Sequence, residues 1–380
     1  FRRVLFRSVY FDGLKNLKTG EISRQYLKDR GINDNTIEKF KLGFSPDKWD
    51  TIVTVLKKRK ISKNTAVQSG LILERKQNNG YYDRFRNRIM FPIFGVNMQV
   101  AGFGGRVMDD AMPKYMNSPE TPIYNKSRIL YGLHAAKQFC RQEGCVYIVE
   151  GYFDFLSLYQ HGIKNTVASL GTALTPDHVR ILKGYASRMI LVFDSDAAGI
   201  NAAKRSINIF MNEGVDTRIL VLPTGNDPDS YVVKHGQKAF NELALSAKTM
   251  MQFLLQVSID THGLSVEGRI RILDDMKKQL ILIHDSALRS LYVKELAETL
   301  NIDEKAVLEK VREQYLNHSG KKSFLSDGKK EDAKLESDRR EEQIISLMLN
   351  YPEITDEIKD KKVLDYFYSE KLKSLAKKIL

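Results

Sequence analysis

The sequence predicts an α/β protein built around a mainly parallel β-sheet. Between Cys145 and His235, short apolar runs rich in Val, Ile and Leu alternate with helical patterns. Near-continuous apolar strands separated by helices are typical of a parallel sheet covered on both faces. After Gln237 strand patterns give way to helical periodicity up to about Leu316, so we expect a helical bundle after the sheet.

Size and composition set the broad class. The 380 residues are 42% hydrophobic and 28% charged, which fits two or three globular domains and excludes a disordered or collagen-like chain. No run of apolar residues is long enough to cross a membrane, and no secretory signal opens the chain. Two cysteines, Cys140 and Cys145, cannot form a disulfide framework, so we expect a cytoplasmic protein. The net charge of +13 is compatible with a polyanionic partner such as nucleic acid.

A mixed α/β segment is predicted over residues 9–140. Residues 1–8 (FRRVLFRS) lack an initiator methionine and resemble a non-native scar, so we expect them to contribute nothing to the fold. A short helical unit is predicted between Ile22 and Phe44. Two strands should follow, over Ile89–Phe94 and Met98–Phe103.

The parallel sheet is predicted over residues 141–236. Its strands should be Val146–Val149, Thr166–Leu170, Met189–Phe193 and Arg218–Leu222, and its helices Phe153–His161, Pro176–Ala186 and Ala197–Asn212. Right-handed crossovers then place the carboxyl ends of these strands at one edge, where a functional site is expected.

The C-terminal part is predicted to be helical with one interruption. We expect a helical bundle over residues 237–317, a polar, lysine-rich linker over 318–338, and a further helical domain that begins in residues 339–380.

Acidic residues follow three of the predicted strands. Glu150 follows the first strand, Asp194 and Asp196 follow the third, and Asp227 and Asp229 lie in the loop after the fourth. Side chains two residues apart on an extended chain point the same way, so Asp194 and Asp196 can present two carboxylates together. Clustered carboxylates repel one another unless a cation neutralises them, and oxygen ligands suit Mg²⁺ or Mn²⁺. The alternative is helix capping, by Asp196 or by Asp229.

A basic segment precedes the acidic strands. Residues 84–128 hold seven basic and three acidic residues, interleaved with aromatic ones. Such side chains can contact phosphates and stack on bases, although a solvated basic face with ordinary core aromatics is the alternative. Within this segment Gly102, Gly104 and Gly105 could either cradle a phosphate or form a tight turn that places Arg106.

These motifs together resemble a known family. The runs VEGYFD (149–154), FDSDAAG (193–199) and DPD (227–229) resemble the TOPRIM domain, which primases, topoisomerases, recombination mediators and some nucleases share. In order and spacing, the chain resembles the DnaG-type bacterial DNA primase family through YDRFRNRIMFPI (82–93), VAGFGGR (100–106), PKYMNSPET (113–121), KSRILYG (126–132), VASLGTALT (167–175) and LPTGNDPD (222–229).

The resemblance implies a fold, an activity and a set of site residues. The fold is a TOPRIM parallel-sheet domain preceded by a mixed α/β subdomain and followed by a helical bundle. The activity is that of a DNA-directed RNA polymerase of the primosome, a nucleotidyltransferase that makes short RNA primers during DNA replication. The implied catalytic and metal-binding acids are Glu150, Asp194 and Asp196, with Asp227 and Asp229 as further ligands of Mg²⁺ or Mn²⁺. The implied nucleotide- and template-binding residues are Arg84, Arg86, Arg106, Lys114 and Lys126.

The resemblance also implies partners. These are single-stranded DNA, ribonucleoside triphosphates, the RNA primer and a replicative helicase, which would bind the domain beginning in residues 339–380. Zinc is expected only in an upstream module whose cysteine and histidine ligands this sequence lacks. A TOPRIM nuclease or topoisomerase-like enzyme, or a non-catalytic nucleic-acid- or helicase-binding module, is the alternative.

Overall fold

The computed structural model describes most of the chain. The described residues are 2–75, 80–171, 173–194, 197–283, 285–313, 341, 343–346, 348, 355–361, 363–367 and 369–379. The chain forms two compact units, residues 1–292 and 293–380. The predicted linker, 318–338, lies outside the described residues.

The N-terminal part of the first unit is built on an antiparallel sheet. Its elements are α1 (Arg2–Lys15), α2 (Glu21–Asp29), α3 (Asp34–Phe40), β1 (Gly43–Ser45), α4 (Thr51–Lys58), α5 (Lys63–Gln68), β2 (Ile72–Glu74), β3 (Tyr81–Asp83), β4 (Arg88–Phe94), β5 (Val100–Val107), β6 (Tyr115–Asn117) and α6 (Leu133–Glu143). Strands β1, β4, β5 and β6 pair in that order, and β2 pairs with β3. Pro92 fits inside β4 because β1 pairs only as far as Met90, so the missing N–H of Pro92 interrupts no β1–β4 bond.

The first eight residues contribute to this fold, contrary to our expectation. Helix α1 begins at Arg2, and Phe6 is 2% exposed. Phe6 belongs to the same apolar cluster as Tyr10 and Phe103, and the rings of the latter two meet edge to face at 5.4 Å. The segment was set aside because it lacks an initiator methionine and resembles a scar, but Phe6 lies on the face of α1 that packs against Phe103 of β5.

The second sheet is parallel, as predicted, and carries helices between its strands. Its elements are β7 (Cys145–Val149), α7 (Tyr152–Gln160), β8 (Thr166–Ala168), α8 (Pro176–Lys183), β9 (Arg188–Phe193), α9 (Ala197–Glu213), β10 (Asp216–Val221), α10 (Pro228–Leu245) and β11 (Lys248–Thr249). The strand order is β11-β10-β9-β7-β8, and only the short edge strand β11 is antiparallel. This β11 strand was not predicted, since two residues are too few to produce a sequence pattern.

One core joins the N-terminal helices to the parallel sheet. Phe40 of α3 meets Phe155 and Tyr159 of α7 edge to face, each at 5.1 Å between ring centroids. Aromatic pairs in this geometry stabilise packing beyond the area that they bury. Arg30, in the turn between α2 and α3, lies 5.4 Å from the ring centroid of Phe153 near the start of α7, so this turn is held beside the carboxyl edge of the parallel sheet.

Helices follow the sheet, as predicted. They are α11 (Met250–His262), α12 (Val266–Leu280) and α13 (Ser286–Leu300). The second unit contains helical residues 304–313, helices Thr355–Asp360 and Glu370–Ile379, and a 3₁₀ turn at Val363–Tyr366. None of the described helices is both long and apolar enough to span a bilayer.

Candidate metal and nucleic-acid site

A cleft of about 600 Å³ lies at the carboxyl edge of the parallel sheet. It takes side chains of both charges from both sheets. Its acidic lining residues are Glu150, Asp154, Asp194, Asp227 and Asp229, its basic ones are Arg30, Arg106, Lys114 and Arg205, and its aromatic ones are Tyr115, Tyr152 and Phe153.

Glu150 and Asp194 come together because their strands are neighbours. Strands β7 and β9 pair in parallel with Ile148 opposite Leu191, so the residues that follow each strand emerge side by side. Glu150 is exposed and Asp194 is half-buried. Asp196, the third predicted catalytic acid, lies outside the described residues.

Asp227 and Asp229 line the same cleft from two different positions at the start of α10. Asp227 is the N-cap of α10, where its Oδ1 accepts a 2.7 Å hydrogen bond from the Ser230 amide. We had considered Asp229 for that capping role, which is wrong, because Asp229 lies inside the first turn of the helix. Its side chain instead faces Arg30, with Nη1 and Oδ2 3.8 Å apart.

The pKa of Asp229 is raised, chiefly because burial penalises its charged form. The nearby Asp227 adds to this shift, whereas the Ser157 hydroxyl and Arg30 oppose it. Asp229 is 7% exposed, and its Oδ1 has no hydrogen-bond partner of normal geometry. The carboxylate is therefore incompletely compensated by the residues around it.

Asp154 is a site residue that our sequence reasoning missed. Burial raises the pKa of its carboxyl to about 7, and Asp227, Asp194 and Asp229 push it in the same direction, against a hydrogen bond from the Gly151 amide. That bond, to Oδ2, is 2.9 Å long. The signal was present in VEGYFD, since Asp154 stands in the first turn of a helix that starts just after Glu150.

The carboxylates fit a divalent cation through their chemistry and charge. Hard oxygen donors of one sign face one cleft, and their mutual repulsion is what a bound cation would relieve. Within the described part of the chain, no group of three or more His, Cys, Asp or Glu side chains is arranged to hold a metal ion by itself. An open set of this kind suits a cation that keeps water and phosphate oxygens among its ligands.

Arg106 brings positive charge to the cleft from strand β5 of the antiparallel sheet. It is 5% exposed, and its guanidinium lies 5.0 Å from the ring centroid of Tyr26, 5.5 Å from Tyr115 and 5.4 Å from Phe153. Its Nε has no hydrogen-bond partner. Lys114 is exposed on the same cleft, so these two of the predicted basic residues face the acids.

The other predicted basic residues do not line this cleft. Arg86 lies 4.0 Å above the ring of Trp49, which is 55% exposed. Arg84 is half-buried, and burial lowers its pKa. The Lys126 carbonyl accepts a 2.9 Å hydrogen bond from His178 Nε2. Their roles in template binding stay predictions.

The glycine run neither cradles a phosphate nor forms a turn. Gly102, Gly104 and Gly105 all lie within the continuous, fully buried strand β5. A Cβ at Gly104 would lie 2.1 Å from the Tyr152 hydroxyl, and one at Gly105 would lie 2.9 Å from Phe85. The phosphate cradle and the tight turn considered from the sequence were both wrong, because these glycines let aromatic side chains pack directly on the strand.

Three family models match consecutive parts of the chain. They describe the N-terminal domain of the DNA primase catalytic core (residues 10–137), a Toprim-like domain (147–232) and the DnaB-helicase binding domain of primase (251–305). The last match falls on α11–α13 and not on residues 339–380, where we had placed helicase binding.

Individual relatives carry the same name. The chain is 38% identical over 294 residues to the DNA primase of Clostridium acetobutylicum, covering 77% of this chain and 49% of that protein. It is 36% identical over 293 residues to the DNA primase of Escherichia coli K12, covering 76% and 50%. The chain thus spans about half the length of the curated relatives it matches.

Solved structures match over nearly their whole length. A DNA primase domain from Pseudomonas aeruginosa has a TM-score of 0.73 at 32% identity, covering 81% of this chain and 98% of that one. A DnaG primase catalytic domain bound to single-stranded DNA has a TM-score of 0.68 at 35% identity, covering 77% and 95%.

Proposed function

The chain belongs to the DnaG-type bacterial DNA primase family, and on this premise we propose that it synthesises short RNA primers on single-stranded DNA by metal-dependent nucleotidyl transfer. The observation that carries the proposal is the single cleft in which strand-end carboxylates face Arg106 and Lys114. Phosphoryl transfer needs positioning and charge neutralisation more than tuned acids and bases. A cleft with walls of opposite charge supplies both.

The acidic wall would hold one or two Mg²⁺ or Mn²⁺ ions. Glu150 and Asp194 are the proposed principal ligands, together with Asp196, and Asp227 and Asp229 are the proposed additional ones. A divalent ion bound there would neutralise the triphosphate and activate the primer 3′-hydroxyl. The Gly151 amide, which donates to Asp154 Oδ2, keeps the backbone after Glu150 in place.

The basic wall would hold the phosphates of the incoming ribonucleoside triphosphate. Arg106 and Lys114 contribute the charge, and the Tyr115 ring, which stacks on Tyr152 at 6.0 Å, lies beside them. Arg84, Arg86 and Lys126 would then contact template or primer outside the cleft. Charge and stacking of this kind bind single strands with little sequence preference.

The partners follow from the same premise. The match of α11–α13 to the DnaB-helicase binding domain supports a replicative helicase as partner. The related catalytic domain bound to single-stranded DNA supports that template. We propose three domains in the first part of the chain, over residues 9–140, 141–236 and 237–317, acting in the bacterial cytoplasm at the nucleoid.

Ribonucleotide incorporation on single-stranded DNA tests the function directly. With Mg²⁺ or Mn²⁺ present, Glu150→Gln and Asp194→Asn should each lower the rate by more than about 100-fold, because loss of a metal ligand removes charge stabilisation from the transition state. Glu242→Gln, on an exposed carboxylate of α10 with 65% of its side chain accessible, is the matched control and should leave the rate unchanged. A rate within about twofold of wild type for both cleft variants would refute the metal assignment.

The alternatives give different outcomes in parallel assays. Nicking of supercoiled DNA without nucleoside triphosphates would favour a TOPRIM nuclease. Normal affinity for single-stranded DNA without metal-dependent incorporation would favour a binding module.

A further inference from the structure

Asn117 connects the antiparallel sheet to the two loops that surround Glu150. It ends β6, one of the two edge strands of this sheet, where it pairs with Gly104 of β5. Its side-chain amide donates from Nδ2 to the Leu170 carbonyl at 2.9 Å. Its Oδ1 accepts a 2.8 Å hydrogen bond from the Tyr152 hydroxyl. Leu170 belongs to the loop after β8, and Tyr152 is the first residue of α7, where the loop after β7 ends.

The chemistry of the two partners determines the orientation of this amide. A backbone carbonyl can only accept a hydrogen bond, so the NH₂ group of Asn117 must face Leu170. The amide oxygen of Asn117 then faces Tyr152, and since an amide oxygen can only accept, the Tyr152 hydroxyl is the donor of the second bond. Both bonds are satisfied in one orientation only.

The Leu170 loop is in turn bonded to the backbone of Glu150. The Gly171 amide donates to the Glu150 carbonyl at 3.3 Å, and the Ser169 amide donates to Val149 at 3.0 Å. Leu170 itself has a φ of 64°, a left-handed conformation that a leucine rarely adopts without external support. The bond from Asn117 to the Leu170 carbonyl is such a support.

Tyr152 is a rigid anchor on the other side. Its ring stacks on Phe91 with centroids 4.5 Å apart and meets Tyr131 edge to face at 4.8 Å. Its hydroxyl occupies the space that the missing side chain of Gly104 leaves free. Asn117 is therefore tied to one immobile group and one strained loop.

We infer that Asn117 is a positioning residue, which holds the Glu150 backbone between the two loops so that its carboxylate can serve as a metal ligand. The inference rests on the proposed function, since it assigns Glu150 to the metal. Groups that hydrogen-bond to metal ligands, or hold them in place, affect metal affinity without contacting the ion. Their loss typically weakens metal binding about 10- to 100-fold.

Mn²⁺ binding to the whole chain, followed by electron paramagnetic resonance of the free ion, tests the inference without nucleotide or template. Asn117→Ala should raise the Mn²⁺ dissociation constant about 10-fold or more. Tyr152→Phe keeps the bond to Leu170 and should have a smaller effect. If Asn117→Ala fails to fold in a thermal scan, Asn117→Ser replaces it, since its hydroxyl is too short to reach Leu170.

Asn165→Ala is the matched control. Asn165 is also buried, at 8% exposure, and its Nδ2 also donates to a backbone carbonyl, that of Cys145 at 3.0 Å. It lies at the opposite end of β7, so its loss should destabilise the fold without changing the Mn²⁺ dissociation constant.

The outcomes separate this inference from the proposed function. If wild type binds Mn²⁺ and Glu150→Gln weakens binding, but Asn117→Ala binds like wild type, the inference is overturned and the function stands. An equal loss in Asn117→Ala and Asn165→Ala would also overturn it, because the effect would then be general destabilisation. If Glu150→Gln leaves Mn²⁺ binding unchanged, the metal assignment fails, and with it the role given to Asn117.

Discussion

The two walls of the cleft were assembled in different ways. On the acidic wall, Glu150, Asp194, Asp227 and Asp229 converge, although they come from loops up to 79 residues apart in the sequence. On the basic wall, Arg106 and Lys114 reach the cleft, but Arg86 stacks on Trp49 elsewhere. The carboxyl ends of parallel strands always meet at one edge, so strand-end residues converge by topology. Residues of an antiparallel sheet converge only if register and packing direct them there.

The largest expected effect is on the stability of Asp154→Asn, which removes one carboxylate from the acidic side of the cleft. The folded pKa of Asp154, about 7, lies above the ordinary aspartate value of 3.8, so the folded state binds a proton that the unfolded state releases. Stability contributed by this group is therefore full below about pH 4 and lost as the pH rises towards 7. In metal-free buffer, Asp154→Asn should be more stable than wild type at pH 8, by up to about 4 kcal/mol at 1.36 kcal/mol per unit.

Chemical denaturation at pH 4 and pH 8 measures this difference. At pH 4 the two proteins should differ little, and added Mn²⁺ should reduce the difference at pH 8 by stabilising the ionised carboxylates. If wild type and Asp154→Asn are equally stable at both pH values, the ionised Asp154 carboxylate does not destabilise the fold, and the raised pKa of Asp154 is refuted.

Gly104 tests the packing that joins the two walls. Gly104→Ala places a methyl group against the Tyr152 hydroxyl, where a Cβ would be 2.1 Å away. We expect the free energy of unfolding to fall by about 1–3 kcal/mol, as it does when extra atoms are forced into other well-packed cores. Gly171→Ala is a useful comparison, since that glycine has a φ of 68° but no atom within 4 Å of its Cβ position, and its cost should come from the backbone alone.

The smallest expected effect comes from comparing Arg106, which lines the cleft, with Arg86, which does not. Both are ring-stacked arginines, and lysine keeps the charge but loses the planar stacking. Arg106→Lys should lower kcat/KM for ribonucleotide incorporation about 10-fold, roughly 1.4 kcal/mol. Arg86→Lys should stay within about threefold. Equal losses would show that the basic segment works as one continuous surface and would remove the distinction drawn between them.

The strands and helices predicted between Cys145 and His235 agree with β7–β10 and α7–α9, because apolar strands and amphipathic helices leave periodic patterns. Positions whose role depends on a distant partner were missed. The sequence around Gly104 does not show that the Tyr152 hydroxyl packs against it. Likewise, the sequence around Arg30 does not show that it faces Asp229. The structural role of Phe6 is likewise visible only in the buried apolar cluster to which it belongs.

From the residues alone follow the fold class, the family and the acids at the strand ends, since each depends on local pattern or on the topology of a parallel sheet. Tertiary packing decided which arginines face those acids, that the pKa of Asp154 is raised, and that Asn117 supports the loops around Glu150. Burial, ring stacking and hydrogen bonds between segments distant in sequence are properties of the folded chain, and they leave no periodic trace in its sequence.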